Sequence, residues 1–166
     1  MNTIFYLSAF VAVVATVLTI TRTNAVHALL YFITSLLSSA LVFAALGAAF
    51  AAVLEVIVYA GAIMVLFIFV IMMMNLGKES AARERSWFSP RMWIGPVVLC
   101  LVLLVELVSF LPGMTASAPI PASLGPKEVG LSLFGGYMIA VELASMLLLA
   151  GLVGAYHLGR RDNDGE

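Results

Sequence analysis

Three carboxylates lie inside stretches that are otherwise almost wholly apolar: Glu55, Glu106 and Glu142. The first opens the run EVIVYAGAIMVLFIFVIMMMN at 55–75, which also keeps a phenol, Tyr59, and a helix-weakening glycine, Gly61. A charged group at the centre of a bilayer costs at least about 2.5–3.5 kcal/mol on insertion scales, so such residues usually mark an ion or proton path. A carboxyl group buried away from cations favours its protonated form and can hold and release a proton. Glu142 stands about eight residues into its apolar segment, roughly 12 Å deep by helix rise. Glu55 is a few residues inside its own segment, and Glu106 sits close enough to the end of its segment to reach the interface. Proton transfer therefore falls first to Glu142 and Glu55. The structural alternative for all three is a protonated or interfacial carboxyl that locks neighbouring helices.

Other chemistry is sparse. There is no GxSxG, HExxH, phosphate-binding loop or GxGxxG. The two histidines, His27 and His157, stand at segment ends and read as interfacial residues without a metal or haem. The single cysteine, Cys100, lies in an apolar run, which leaves neither an internal disulfide nor a cysteine cluster for zinc or iron–sulfur. Met64, Met72, Met73 and Met74 read as adaptable packing.

The elements that must position these residues follow from composition. Of the 166 residues, 63% are hydrophobic and 10% charged, against about 45–50% and about 25% in a soluble domain. A water-soluble fold cannot hide that much apolar surface, so the chain reads as a single all-α integral membrane domain. Its net charge of -1 argues against a nucleic-acid partner. A spanning helix needs about 20 apolar residues. The segment at 4–20 lacks the basic start of a cleaved signal, carries Arg22 after it, and reads as a retained span. Residues 28–75 carry one formal charge, Glu55. As one helix they would run about 72 Å, more than twice the hydrocarbon thickness. They must be two spans with a reversal at GAAFAA, 47–52. The expected spans are 4–20, 28–47, 52–75, 93–111 and 134–158. The charged stretch at 76–92 and the Pro-, Gly- and Ser-rich stretch at 113–133 read as loops, and the tail 159–166 as polar.

Five spans put the termini on opposite sides of the membrane. Arg22, Lys78, Arg83, Arg85, Arg91, Arg160 and Arg161 then share one side and Lys127 takes the other, seven against one. The positive-inside rule predicts an outside N-terminus and a cytoplasmic C-terminus. The spans themselves contain no Lys or Arg, so a partner for the carboxylates must be water, a hydroxyl, a backbone carbonyl or another chain. On the fifth span Gly136, Ala140, Ala144, Gly151 and Ala155 share one side of the helical wheel and Glu142 falls opposite. Stripes of small residues let membrane helices pack closely, which leaves Glu142 facing a different neighbour.

Four stretches carry a family resemblance: HALLYF at 27–32, EVIVYAGAIMVLFIFVIMMMNLG at 55–77, WIGP at 93–96 and YMIAVELASMLLLAGLVGAYHLGR at 137–160. Together they resemble subunit J of bacterial NADH:quinone oxidoreductase, respiratory complex I. The fourth span and the 113–133 stretch match loosely, and Ala25 stands where the family usually has proline. The resemblance implies a multi-pass subunit of the bacterial inner membrane, set between the quinone-site subunit and the antiporter-like subunits. It also implies that this chain carries no cofactor, with FMN, iron–sulfur clusters, NADH and quinone held by other subunits. The family's third helix switches between a plain α-helix and one with a π-bulge near the tyrosine and glycine that are here Tyr59 and Gly61. Glu55 and Tyr59 are i,i+4 neighbours on that helix. Equivalent subunits of membrane-bound hydrogenases, related dehydrogenases and multisubunit cation/proton antiporters, and a purely structural bridging role, are alternative readings at this level.

Overall fold

The computed structural model describes residues 2–74, 90–115 and 125–159. The charged residues 75–89, the segment 116–124 and the tail 160–166, all read above as polar or loop-forming, lie outside the described residues. The described residues include five helices long and apolar enough to cross a membrane. The chain divides into two compact units, Met1–Ser123 and Leu124–Glu166.

In the first unit, α1 (Asn2–Thr21) and α2 (Ala25–Ala45) form an antiparallel pair. Ser8, Val11 and Ala15 of α1 are buried, a one-face spacing of small side chains that lets the two backbones approach. The hydroxyls of Thr16, Thr19 and Thr21 donate to carbonyls four residues earlier, at 2.8 Å, so no polar atom of theirs is left bare in an apolar setting. Between the helices, Asn24 accepts from the amides of Val26 at 2.9 Å and His27 at 3.3 Å, capping α2. The cap explains why α2 starts a turn before the expected residue 28.

α2 packs on every other helical element of this unit. Its buried residues His27, Tyr31, Thr34, Ser35, Ser38 and Ala45 recur at helical spacing. The helix ends in a Schellman turn. The Gly47 amide donates to the Ala44 carbonyl at 3.0 Å and the Ala48 amide to Phe43 at 2.9 Å. Gly47 has φ +83°, a conformation open to glycine and costly for a side chain. The reversal is therefore three residues long, Leu46–Ala48, and the FAA that follows belongs to the next helix.

The third span is continuous from Ala49 to Met74 but not uniform. It begins as α3 (Ala49–Leu54), continues as a π-helix over Glu55–Ile63, and ends as α4 (Met64–Met74). Then α5 (Pro90–Thr115) returns against α1 and α2. Proline at its first turn loses no helical hydrogen bond, which places the start ahead of the expected Trp93. Gly95 of α5 lies against Tyr31, where an added Cβ would overlap the phenol oxygen.

The second unit contains α6 (Pro126–Phe134) and α7 (Met138–Gly159). The expectation of an irregular loop through 133 is corrected by α6. Its Pro126 sits in the first turn and Glu128 complements the helix N-terminus, so residues that signal a loop by composition here start a helix. The turn Gly135–Tyr137 separates α6 from α7, which puts Gly136 just before the spanning helix rather than on it.

Candidate functional site

The π-helix is the feature around which the candidate residues gather. It runs from Glu55 through Tyr59 and Gly61 to Ile63. At its far end the Met64 amide is shared between the Gly61 carbonyl and, five residues back, the Tyr59 carbonyl, the latter being the reach of the wider register. Gly61 lies inside the wide turn. A Cβ added there would stand 3.2 Å from the Val56 carbonyl oxygen, tight enough that the backbone would have to give. Glu55 is half-buried and Tyr59 is exposed, and neither side chain hydrogen-bonds to another described residue.

The far half of the span is held on α2. Met64, immediately after the π-helix, is 1% exposed, and Phe67 meets Phe32 edge-to-face with ring centroids 6.3 Å apart. A change of register at Gly61 would turn this half and move both contacts. Val65, Leu66, Phe67, Ile68 and Phe69 are all exposed.

The other two carboxylates have unlike surroundings. Glu142 lies on α7, which buries none of its residues within its own unit. Its backbone carbonyl accepts from Ser145 Oγ at 2.7 Å, and its side chain is exposed. Ala140, Ala144, Gly151 and Ala155 are also exposed, so neither side of α7 is covered within its own unit. Glu106 is the reverse case. Read from sequence as interfacial, it is 4% exposed. The reason is that α5 runs on to Thr115, which leaves Glu106 well inside the helix.

Glu106 belongs to a polar seam that the sequence reading did not assemble. Ser8 Oγ donates to Glu106 Oε2 at 2.5 Å, Ser38 Oγ donates to the Ser8 carbonyl at 2.5 Å, and Thr16 and Ser35 share a hydroxyl pair at 2.8 Å. Thr34 lies 3.7 Å from Cys100 Sγ. The available signal was the run of hydroxyl residues at 34, 35, 38 and 39 in an otherwise apolar helix. Toward the start of α5, His27 is buried against Trp93 with ring centroids 6.1 Å apart, and the Arg22 guanidinium lies 5.4 Å from the Tyr31 ring centroid. Among the described residues no three His, Cys, Asp or Glu side chains gather to hold a metal ion.

These features define a class: a multi-pass helical membrane protein with intramembrane carboxylates and a π-register segment in one span. Residues 15–158 match the NADH-ubiquinone/plastoquinone oxidoreductase chain 6 family, and the chain belongs to that family. It is 57% identical to NADH-quinone oxidoreductase subunit J of Pseudomonas aeruginosa over 159 residues, 95% of this chain and 96% of that one. It is 53% identical to subunit J of Escherichia coli K12 over 162 residues, 98% of this chain and 88% of that one. A third relative, subunit J of Buchnera aphidicola from Schizaphis graminum, is 47% identical over 161 residues, 96% and 98% of the two chains. The chain is thereby placed among the subunits of NADH-quinone oxidoreductase, complex I.

Proposed function

We propose that this chain helps couple quinone reduction to proton translocation in the membrane arm of complex I, and that its third span is the moving part. The observation that carries the reading is the π-helix at Glu55–Ile63, which holds the helix in a minority register around a carboxylate, a phenol and a glycine. π-Segments inside α-helices occur frequently at functional sites. Each residue that moves between the two registers turns the far half of the span by about 100°. Such a turn would open or close a path for water and protons beside Glu55 and Tyr59.

In this reading the chain is not itself catalytic. NADH oxidation and the redox cofactors belong to other subunits, and the chain meets the quinone-site subunit and the antiporter-like subunits in the bacterial inner membrane. Glu142 on α7 serves the proton path with Glu55, while Ala140, Ala144, Gly151 and Ala155, with Gly136 at the turn, supply a surface for helix packing.

Register exchange is tested with single cysteines at Ile63, Leu66 and Phe67 in a chain whose own Cys100 is replaced by alanine, with labelling read on this chain alone so that the cysteine ligands of the iron–sulfur clusters in other subunits stay in place. The pattern of labelling by a membrane-permeant thiol reagent is expected to rotate among the three sites when NADH and quinone are supplied. An identical pattern at rest and during turnover would count against a moving span. Orientation is tested separately. The seven-to-one charge split predicts a cytoplasmic reporter after Glu166 and an external one at Ser117. A cytoplasmic signal at Ser117 would reverse the proposed topology.

A further inference from the structure

The turn between α1 and α2 carries a cation that the proposed coupling element does not use. Arg22 follows the first spanning helix directly and precedes the second, so it stands at the membrane surface. Its side chain is exposed, and its guanidinium lies over the Tyr31 ring, 5.4 Å from the centroid. Tyr31 is 3% exposed, and its phenol oxygen occupies the notch that Gly95 leaves on α5. A guanidinium held by its face over an aromatic ring keeps its N–H edge for an acceptor, and that planar fork matches the oxygens of a phosphate.

The surroundings of Arg22 favour an anion. Neither α1 nor α2 contains an acidic residue, and Glu106, the acid on α5, stands eleven positions beyond Gly95, about 16 Å along the helix. His27 and Trp93, with ring centroids 6.1 Å apart, bring the first turns of α2 and α5 together. Two helix N-termini, each the positive end of its dipole, therefore share the membrane face that holds Arg22. Trp93 is 40% exposed beside them, an indole of the kind that marks the depth where headgroups meet hydrocarbon.

From this corner an apolar track leads inward. Ile94, Val98, Leu101 and Val105 recur at helical spacing on α5, and all are exposed within this unit. From Val98 onward the track lines a groove of about 520 Å³ between α1 and α5. The polar lining of that groove, Thr3, Glu106 and Ser109, stands at the end away from Arg22. Gly95 to Val105 is ten positions, about 15 Å of helix and about half the hydrocarbon thickness of a bilayer. A surface cation that leads into an apolar track one leaflet deep has the dimensions of a single phospholipid. We propose that this corner binds an anionic phospholipid. The N–H edge of Arg22 donates to its phosphodiester oxygens, and one acyl chain lies along Ile94, Val98, Leu101 and Val105. Basic pockets between spanning helices hold anionic headgroups by the same attraction.

The test uses intact complex in detergent, given a small molar excess of phosphatidylglycerol or phosphatidylcholine with a photoactivatable diazirine in one acyl chain. Adducts on this chain are mapped by mass spectrometry. Phosphatidylglycerol is expected to label the stretch from Ile94 to Val105 several-fold more than phosphatidylcholine does. Arg22→Gln is expected to lower that labelling about fivefold, the weight of one basic residue near an anionic lipid surface. Arg22→Lys, which keeps the charge and loses the planar fork, is expected to lower it less. Leu101→Trp fills the groove and leaves Arg22 in place, and is expected to lower labelling at Val98 and Val105; this variant and the wild-type comparison of the two lipids decide the matter if Arg22→Gln fails to assemble. Excess inorganic phosphate is not expected to compete, because it has no chain to lay in the groove. The proposal is overturned by equal labelling with the two lipids, by wild-type labelling in assembled Arg22→Gln or Leu101→Trp, or by displacement with inorganic phosphate. It is equally overturned if Val98→Cys cross-links to another subunit, which would put protein where the chain is proposed to lie.

Discussion

Complex carrying Gly61→Val is expected to assemble and to pass electrons from NADH to a soluble artificial acceptor at the wild-type rate, while quinone reduction and proton pumping fall together by about tenfold. The direction follows from the π register. A Cβ at position 61 would stand 3.2 Å from the Val56 carbonyl, and valine adds two γ carbons to that crowded turn. Overpacking of this kind costs about 1–3 kcal/mol, and each 1.4 kcal/mol is a factor of about ten in the balance between two states. The cost falls on the π register and biases the span toward the α register. Electron transfer to a soluble acceptor is spared because that chemistry lies in other subunits. If both electron assays instead drop in proportion to the amount of complex, Gly61 serves packing alone. A fully assembled Gly61→Val enzyme that pumps normally would remove both roles.

Glu142→Gln is expected to slow quinone-linked turnover by about tenfold or more, in line with the weight of a positioned proton-transfer group. The amide keeps the shape and loses the titratable proton. The motivating observation is an exposed carboxyl on a spanning helix that buries nothing within its own unit. A carboxyl in hydrocarbon without a function would be a standing cost. Glu106→Gln supplies the contrast, because the amide keeps the shape and an oxygen that can accept from Ser8 Oγ in the α1–α2–α5 seam. Wild-type rates and wild-type proton yields in Glu142→Gln would end the case for Glu142 as a proton carrier.

Much of this architecture was legible in the sequence, and the exceptions share a cause. The apolar segments declared the spans, and one formal charge in residues 28–75 forced a reversal. The reversal itself was harder to place, because Ala, Phe and Leu surround it and only Gly47 at φ +83° marks its centre. The helix at Pro126–Phe134 was hidden by its composition, since proline signals a break unless it occupies the first turn. Glu55, Tyr59 and Gly61 were recognisable as a group, yet their types are equally compatible with an α-helix. Glu106 was misjudged because its depth was counted from the expected end of a span, and α5 runs past that end to Thr115.

The division between sequence and tertiary structure follows from how each free energy is composed. Partition of a segment into a membrane sums residue by residue over about 20 positions, so five apolar stretches and their charged flanks determine the span number without knowledge of any contact. The direction a side chain faces and the register a helix adopts depend on what stands across from it. Met64 and Phe67 seat the third span on α2, and the π-helix precedes that seat directly. Ser8, remote from Glu106 in the chain, donates to its carboxyl, and Ser38 donates to the carbonyl of the same Ser8. These contacts join residues far apart in sequence, and a buried polar atom is settled by its partner in space rather than by its neighbours along the chain.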